Sequence, residues 1–191
     1  KNPLIKHLVK LRTQSSYRKE QKKGLLSGIS LIKDLPSNLS IKTILCVEGF
    51  NIDFSIEAEQ RFDLSLSLMK KVSGLVSPEG LVVEVELPEE SFVEVRNRLL
   101  VCDGVSDPGN MGTLLRTALA FGWDAVFCLD HCVDLFNEKT LRASKGAIFK
   151  LPFMQGSWKD LKKICESSNL EIFLGDIEGD RVDSVDKSRG I

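Results

Sequence analysis

The sequence predicts an α/β protein in two parts, an N-terminal mixed α/β region followed by a parallel sheet flanked by helices. Three observations carry this. Beyond residue 91, short apolar runs alternate with amphipathic stretches, the pattern of successive strand–helix crossovers. The 191 residues are 42% hydrophobic and 28% charged, a balance that builds a packed core and excludes collagen-like and disordered chains. No apolar run approaches the ~18–20 residues of a membrane-spanning helix, so no membrane partner is expected.

The elements follow in order. Asn2-Pro3 is a helix start, an N-cap residue followed by proline, and Leu4, Ile5, Leu8 and Leu11 recur at helical spacing. This charged, periodic segment is no secretory leader. Thr13 to Lys23 is polar and basic and reads as a loop or a further helix start. Gly24–Gly28 reads as a short strand, Ile41–Val47 as a buried strand, Ala58–Val72 as a helix and Leu81–Leu87 as a strand. Pro88-Glu89-Glu90-Ser91 is the boundary, which divides the chain into residues 1–90 and 91–191. Then come strand Leu99–Cys102, helix Met111–Phe121, strand Ala125–Leu129, a short helix near Leu135–Arg142, a strand near Lys150–Phe153, helix Trp158–Ser167 and strand Leu170–Leu174.

Net charge is −1, unevenly spread. Residues 1–33 carry nine Lys/Arg against one Glu, whereas the rest is acidic. A basic head on an acidic chain is the footprint of a polyanion-binding surface, so Lys6, Lys10, Arg12, Arg18 and Lys19 are candidate polyanion contacts, RNA contacts if the resemblance below holds. The alternative is a solvated helix face. The five cysteines, Cys46, Cys102, Cys128, Cys132 and Cys165, are odd in number and lie in apolar runs. They read as reduced core residues of an intracellular protein. Cys128 and Cys132 bracket His131, but four ligands never assemble, so no metal is expected.

In open α/β sheets, chemistry collects at the carboxyl ends of the strands. This draws attention to Asp103–Asn110, Asp130–Asp134 and Gly175-Asp176. The first loop is a tight turn in which Asn110 can cap the following helix, whose free N–H groups suit a phosphate. It is not a dinucleotide fingerprint. Arg116 is a cation within a largely apolar helix, on spacing alone a side chain that lays its stem over the core with its head in water. Around Ala143-Ser144 and Gly146-Ala147, small residues permit close approach and Arg142, Lys145 and Lys150 suit phosphate. Arg142 and Ser144 join these candidate contacts.

Together these segments carry a resemblance. Asn110-x-Gly112-x-x-x-Arg116-x-Ala118-x-x-Phe121-Gly122 is similar to motif 1 of the SpoU (TrmH-type) RNA 2′-O-ribose methyltransferases of the SPOUT superfamily. Arg142-Ala143-Ser144-x-Gly146-Ala147, followed by Phe149 and Pro152, is similar to their motif 2. The first part, through Asn2-Pro3-Leu4-Ile5-Lys6 and Pro78-Glu79-Gly80-Leu81, resembles the family's substrate-binding extension, which has an L30e-like fold.

The resemblance implies an RNA-binding domain over 1–90 and a SPOUT-type methyltransferase domain over 91–191. It implies transfer of a methyl group from S-adenosylmethionine to a ribose 2′-hydroxyl of ribosomal or transfer RNA. Arg116 would be the main catalytic residue and Asn110 the organiser of its loop. A homodimer is the family's usual assembly. Cytoplasm and organelle (mitochondrion or chloroplast) are equally compatible.

Relatives continue into motif 3, which threads a trefoil knot and lines the cofactor pocket. Gly175-Asp176-Ile177-Glu178-Gly179 echoes its Gly-x-Glu start, making Gly175 and Asp176 candidate cofactor residues. The Ile-Pro and Ser-Leu-Asn segments do not follow before Ile191. The knot segment is therefore expected to be missing and activity of residues 1–191 impaired. The alternative is a non-catalytic RNA-binding protein derived from the same family.

Overall fold

The structure, a computed structural model, describes residues 2–91, 95–175 and 178. Asn2 opens α1 (Pro3–Thr13): its side-chain oxygen accepts the Leu4 N–H at 2.9 Å, with proline in the first turn. The polar basic stretch that follows is helical, α2 (Ser15–Gln21). Next come β1 (Lys23–Ser27), α3 (Ile29–Lys33) and β2 (Ile41–Val47).

The predicted helix over 58–72 is corrected in its first half. Residues Gln60–Leu64 form strand β3, which pairs in parallel with β2, and the helix α4 spans Leu66–Ser73. The open side of β2 supplies a ladder for 60–64, and Ser65 then caps α4 by accepting the Leu68 N–H. With β4 (Leu81–Glu86) these strands make a sheet of order β1-β4-β2-β3, in which β4 runs antiparallel to β1 and β2.

The second sheet has order β5-β6-β7, all parallel: β5 (Leu99–Cys102), β6 (Ala125–Leu129) and β7 (Phe153–Gly156). Helix α5 (Pro108–Ala120) follows β5, α6 (Glu138–Ser144) follows β6, and α7 (Trp158–Ser168) follows β7. The last strand begins later than the sequence suggested. A 3₁₀ turn over Ala147–Phe149 draws the N–H groups of Lys150 and Leu151 onto the Ala147 carbonyl, both at 2.9 Å, and keeps them out of a ladder. The expected strand Leu170–Leu174 is also corrected. Leu170 donates its N–H to Cys165 at the end of α7, and Ile172, Phe173 and Leu174 are exposed, with no strand pairing among the described residues.

The strand period places successive side chains on opposite faces. On one face of the first sheet, Leu45 and Val82 pack against Ile5, Leu8 and Leu11 of α1 and Met69 and Val72 of α4. On the other, Ile44, Cys46, Leu81, Val83 and Val85 share a single cluster with Met111 and Leu115 of α5, Leu141 of α6, and Cys102, Val126 and Cys128 of the second sheet. Helices α5 and α6 thus contribute to a core held in common by both sheets. The far face of the second sheet, with Phe127 and Met154, is covered by Leu161 and Cys165 of α7. Among the described residues no helix is long and apolar enough to cross a membrane.

Two polar clusters lie within this frame. Glu84, 3% exposed, points to the α1 side, where it accepts from His7 (2.9 Å), Thr43 (2.7 Å) and Lys23 (3.1 Å). Burial pushes its carboxyl up, and these three donors outweigh burial and hold it below its ordinary value. Arg18 is the second and a correction to the sequence reading. It is 4% exposed, donates to the carbonyls of Leu11 (2.6 Å) and Arg12 (3.0 Å), and pairs with Asp134 at 2.5 Å across 116 positions of sequence. A planar fork of donors suits such a junction. Arg18 is a tie between the two halves and faces no solvent.

Two stability tests follow. Burial pushes the Asp134 carboxyl up, but donors from Arg18, Ser15 and the Phe136 N–H outweigh it and hold the folded-state value low. That stability is present above the ordinary carboxylate value of ~3.9 and is lost as pH falls through the lower folded-state value. Urea midpoints measured from pH 7 downward should show an acid decline that Asp134→Asn flattens. Arg18→Ala, which strands a buried carboxylate, should cost about 3–5 kcal/mol in the same titration.

The second test concerns Gly112 of α5. A Cβ there would lie 2.5 Å from the Ala143 Cβ, 2.7 Å from the Ser144 N and 2.8 Å from the Thr140 carbonyl. Gly112→Ala should destabilise by about 1–3 kcal/mol, read as a lowered melting temperature.

Candidate functional site at the carboxyl ends of the second sheet

The chain leaves β5 at Cys102, turns through Asp103–Asp107 and enters α5 at Pro108. Asp107, not Asn110, caps this helix: its Oδ1 accepts the Asn110 N–H at 2.7 Å. The proline at the first helical position fixes the start there, which leaves Asn110 inside the first turn. This is the same cap-plus-proline signature as Asn2-Pro3, and it could have been read from the sequence.

Over this loop lies an open cleft of about 550 Å³ lined by Asp103, Gly104, Val105, Ser106, Asp107, Asn110, Thr113 and Leu114. That volume lies within the range of small-molecule sites. Its lining joins two carboxylates, an amide and two hydroxyl groups to the apolar Val105 and Leu114. Asn110 is exposed and its side chain makes no hydrogen bond among the described residues. At Gly104 an added Cβ would meet nothing within 4 Å, so the backbone there is open to a ligand. Thr113 and Leu114 were not singled out by the sequence. Their helical periodicity reads only as an amphipathic face, and the cleft they line forms only on folding.

Arg116 is exposed on α5, and no hydrogen bond or ion pair engages it among the described residues. It follows Gly112 by one turn and shares that stripe of the helix, the stripe by which α5 touches α6. Asn110 is six residues away from Arg116, about 9 Å along the axis and roughly 120° round it. The two expected catalytic residues therefore lie on one helix but not on one face.

On α6, Arg142 is half-buried and pairs with Glu138 one turn earlier. Ser144 is 1% exposed, and its hydroxyl donates to the Leu141 carbonyl at 3.1 Å. Its position in the motif is explained by packing, because its backbone N is what the Gly112 Cα approaches. Beyond it, Lys145 and Gly146 both have positive φ (49° and 74°) and turn the chain toward Leu31 of α3.

The basic head is divided. Lys6 and Lys19 are exposed, and Lys10 is exposed with its ammonium 5.1 Å from the centre of the Tyr17 ring. Arg12 is half-buried with its guanidinium laid over Gly74 at the end of α4. Lys70 and Lys71, exposed in the last turn of α4, add cations that the sequence reading had not included. Gly175 is exposed with open space around its Cα. Asp176 lies outside the described residues.

The SpoU rRNA Methylase family matches residues 97–191. The chain is 35% identical over 157 residues to the 23S rRNA (guanosine(2553)-2′-O)-methyltransferase RlmP of Bacillus subtilis, an alignment covering 81% of this chain and 62% of that protein. It is 30% identical over 152 residues to human mitochondrial rRNA methyltransferase 3, covering 72% of this chain and 36% of that protein. The chain thus spans between about a third and two thirds of these relatives' lengths.

Among solved structures, one described as an RNA 2′-O ribose methyltransferase superposes with a TM-score of 0.75 at 28% identity, over 90% of this chain and 69% of that one. An AdoMet-bound rRNA methyltransferase from Sinorhizobium meliloti superposes with a TM-score of 0.83 at 20% identity, over 99% of this chain and 76% of that one, which shows the shared fold. With motif 1 on α5, motif 2 on α6, and both sheets matched across nearly the whole chain, the protein belongs to the SpoU rRNA methylase family.

Proposed function

We propose that the protein transfers a methyl group from S-adenosylmethionine to a ribose 2′-hydroxyl of ribosomal or transfer RNA, inside the cell. The observation that supports it most is Arg116: an exposed, unengaged guanidinium on a helix that is locked in place at Gly112 and borders an open cleft. A ribose hydroxyl is a poor nucleophile at neutral pH. The barrier falls when a fixed positive charge meets the developing oxyanion and the hydroxyl is held in line with its electrophile.

Arg116 is suited to both tasks. Its fork grips the adjoining backbone phosphate, and its charge stabilises the oxyanion. The guanidinium is a permanent cation and acts electrostatically. Asn110 and the loop that precedes its helix orient the ribose. The residues of the cleft fit the cofactor: Asp103 and Asp107 offer acceptors for its ammonium and hydroxyls, Val105 and Leu114 an apolar wall, and Gly104 the open backbone a large ligand needs. The cofactor supplies an electrophilic methyl group on sulfur. Lys6, Lys10, Lys19, Lys70 and Lys71 supply non-specific attraction for the RNA backbone.

Two measurements test this. Tritiated methyl incorporation into ribosomal or transfer RNA should fall on the order of 10²-fold in Arg116→Lys, the scale for removing one oriented donor, with the melting temperature unchanged. Normal turnover would return Arg116 to a solvated surface role. In filter binding at several salt concentrations, the Lys6→Ala/Lys10→Ala double variant should lower the slope of log affinity against log salt by about 0.7–0.9 for each phosphate no longer neutralised. An unchanged slope places the RNA elsewhere.

A further inference from the structure

The rim of the cleft is fastened from outside its own loop. Gly104, Val105 and Ser106 lie between β5 and α5, and Gly104 and Ser106 are exposed. The Val105 carbonyl accepts the Val133 N–H at 2.9 Å. Among the described residues no other backbone–backbone hydrogen bond engages these three rim residues. Val133 belongs to the loop 130–134, which follows β6, the strand beside β5. A second bond takes the same path, from the Cys132 thiol to the Cys102 carbonyl at the end of β5, at 3.2 Å.

The loop 130–134 needs an anchor of its own. His131 adopts a φ of 74°, a left-handed conformation that residues other than glycine hold only when their surroundings fix it. Asp134 supplies the anchor with both carboxylate oxygens. One accepts the Phe136 N–H at 2.9 Å, and the other takes Arg18 at 2.5 Å. The Asp134 carbonyl also accepts the Asn137 N–H at 3.0 Å. Arg18 is fixed in turn, because its other terminal nitrogen donates to the Leu11 and Arg12 carbonyls in the last turn of α1. Carbonyls there have no partner within the helix. An unbroken run of bonds thus leads from the end of α1 through Arg18, Asp134 and Val133 to Val105, which lines the cleft.

An exposed loop with few backbone bonds opens at low free energy. The position of Val105 therefore depends on how firmly Val133 is held, and Val133 is the neighbour of Asp134. A guanidinium bound to a carboxylate fixes direction as well as distance. We propose that Asp134 is a positioning residue for the cleft: clamped by Arg18, it fixes Val133 and with it the rim at Val105. The helix pair α1 and α2 of the N-terminal half thereby sets the shape of a site in the second half. The effect on ligand binding rests on the reading of the cleft as the S-adenosylmethionine site; the fixing of the rim does not.

The test compares the wild type with the double variant Arg18→Met/Asp134→Asn, which removes both charges and strands neither. The amide that replaces the carboxylate can still accept the Phe136 N–H, whereas the thioether cannot clamp it. Amide hydrogen exchange resolved by NMR should be about tenfold or more faster at Val133, the factor carried by a hydrogen bond to a charged group. Val82 and Val83, buried in β4, should change no more than the loss of global stability in urea requires. Exchange at Val133 that is unchanged, or that quickens only in step with Val82 and Val83, overturns the proposal. Calorimetry with S-adenosylmethionine on the same two proteins, at a temperature where both are folded, should show several-fold weaker binding to the variant. Equal affinity overturns the link from rim to ligand. If the wild type binds none, the cofactor reading fails, and the clamp stands or falls on the exchange at Val133 alone.

Discussion

The approach of α5 to α6 at Gly112 is the constraint on which the rest of the site depends. A Cβ at this position would meet Ala143, Ser144 and the Thr140 carbonyl at distances no side chain allows. This contact fixes where α5 runs between the two sheets and therefore where its exposed stripe emerges. It also gives a physical reason for the small residues of both family motifs, which are the two surfaces of one helix crossing. The catalytic role proposed for Arg116 depends on that rigidity, because a misplacement of about 1 Å in a reacting geometry can cost 10²-fold in rate.

Electrostatics divides the basic head by a second constraint, the cost of burying charge. Arg18 lies inside, matched by Asp134, and Lys23 meets the buried Glu84. Lys22 and Lys33 pair at the surface with Glu89 and Asp53. These last pairs are exposed and weak in water, so polyanions can displace them. The exposed positive charge left for a polyanion is thus smaller than the sequence tally, and it gathers on α1, α2 and α4.

Much of the fold was legible because periodicity and caps are local signals. Ile41–Val47 and Leu99–Cys102 read as strands because their apolar runs are short and bounded, and Asn2-Pro3 announced a helix. What stayed hidden is set by distant partners. Residues 60–64 form a strand because β2 offers a ladder, which no local window reveals. The lysines and arginines of residues 1–33 look alike in sequence, yet Asp134, 116 positions away from Arg18, decides that it turns inward. At the site, the motif residues were visible but their division of labour was not. Ser144 has the motif position of a contact and the burial of a packing residue.

The state of each arginine before any ligand arrives separates their roles. Arg142 is held by Glu138 within its own helix, so gripping a phosphate requires giving up an ion pair. Arg116 has no such pair among the described residues, and its head stands in water on a helix that cannot shift without breaking the Gly112 contact. A phosphate at Arg116 replaces only solvent, and the helix that carries the side chain is already held at Gly112. An unpaired cation keeps its full field, whereas a paired one is partly neutralised by its carboxylate. The same argument places Arg18 outside the chemistry altogether, since its field ends on Asp134. Three arginines with one side-chain chemistry thus divide into a tie between the two halves, a helix-bound reserve and an exposed charge that no carboxylate faces among the described residues.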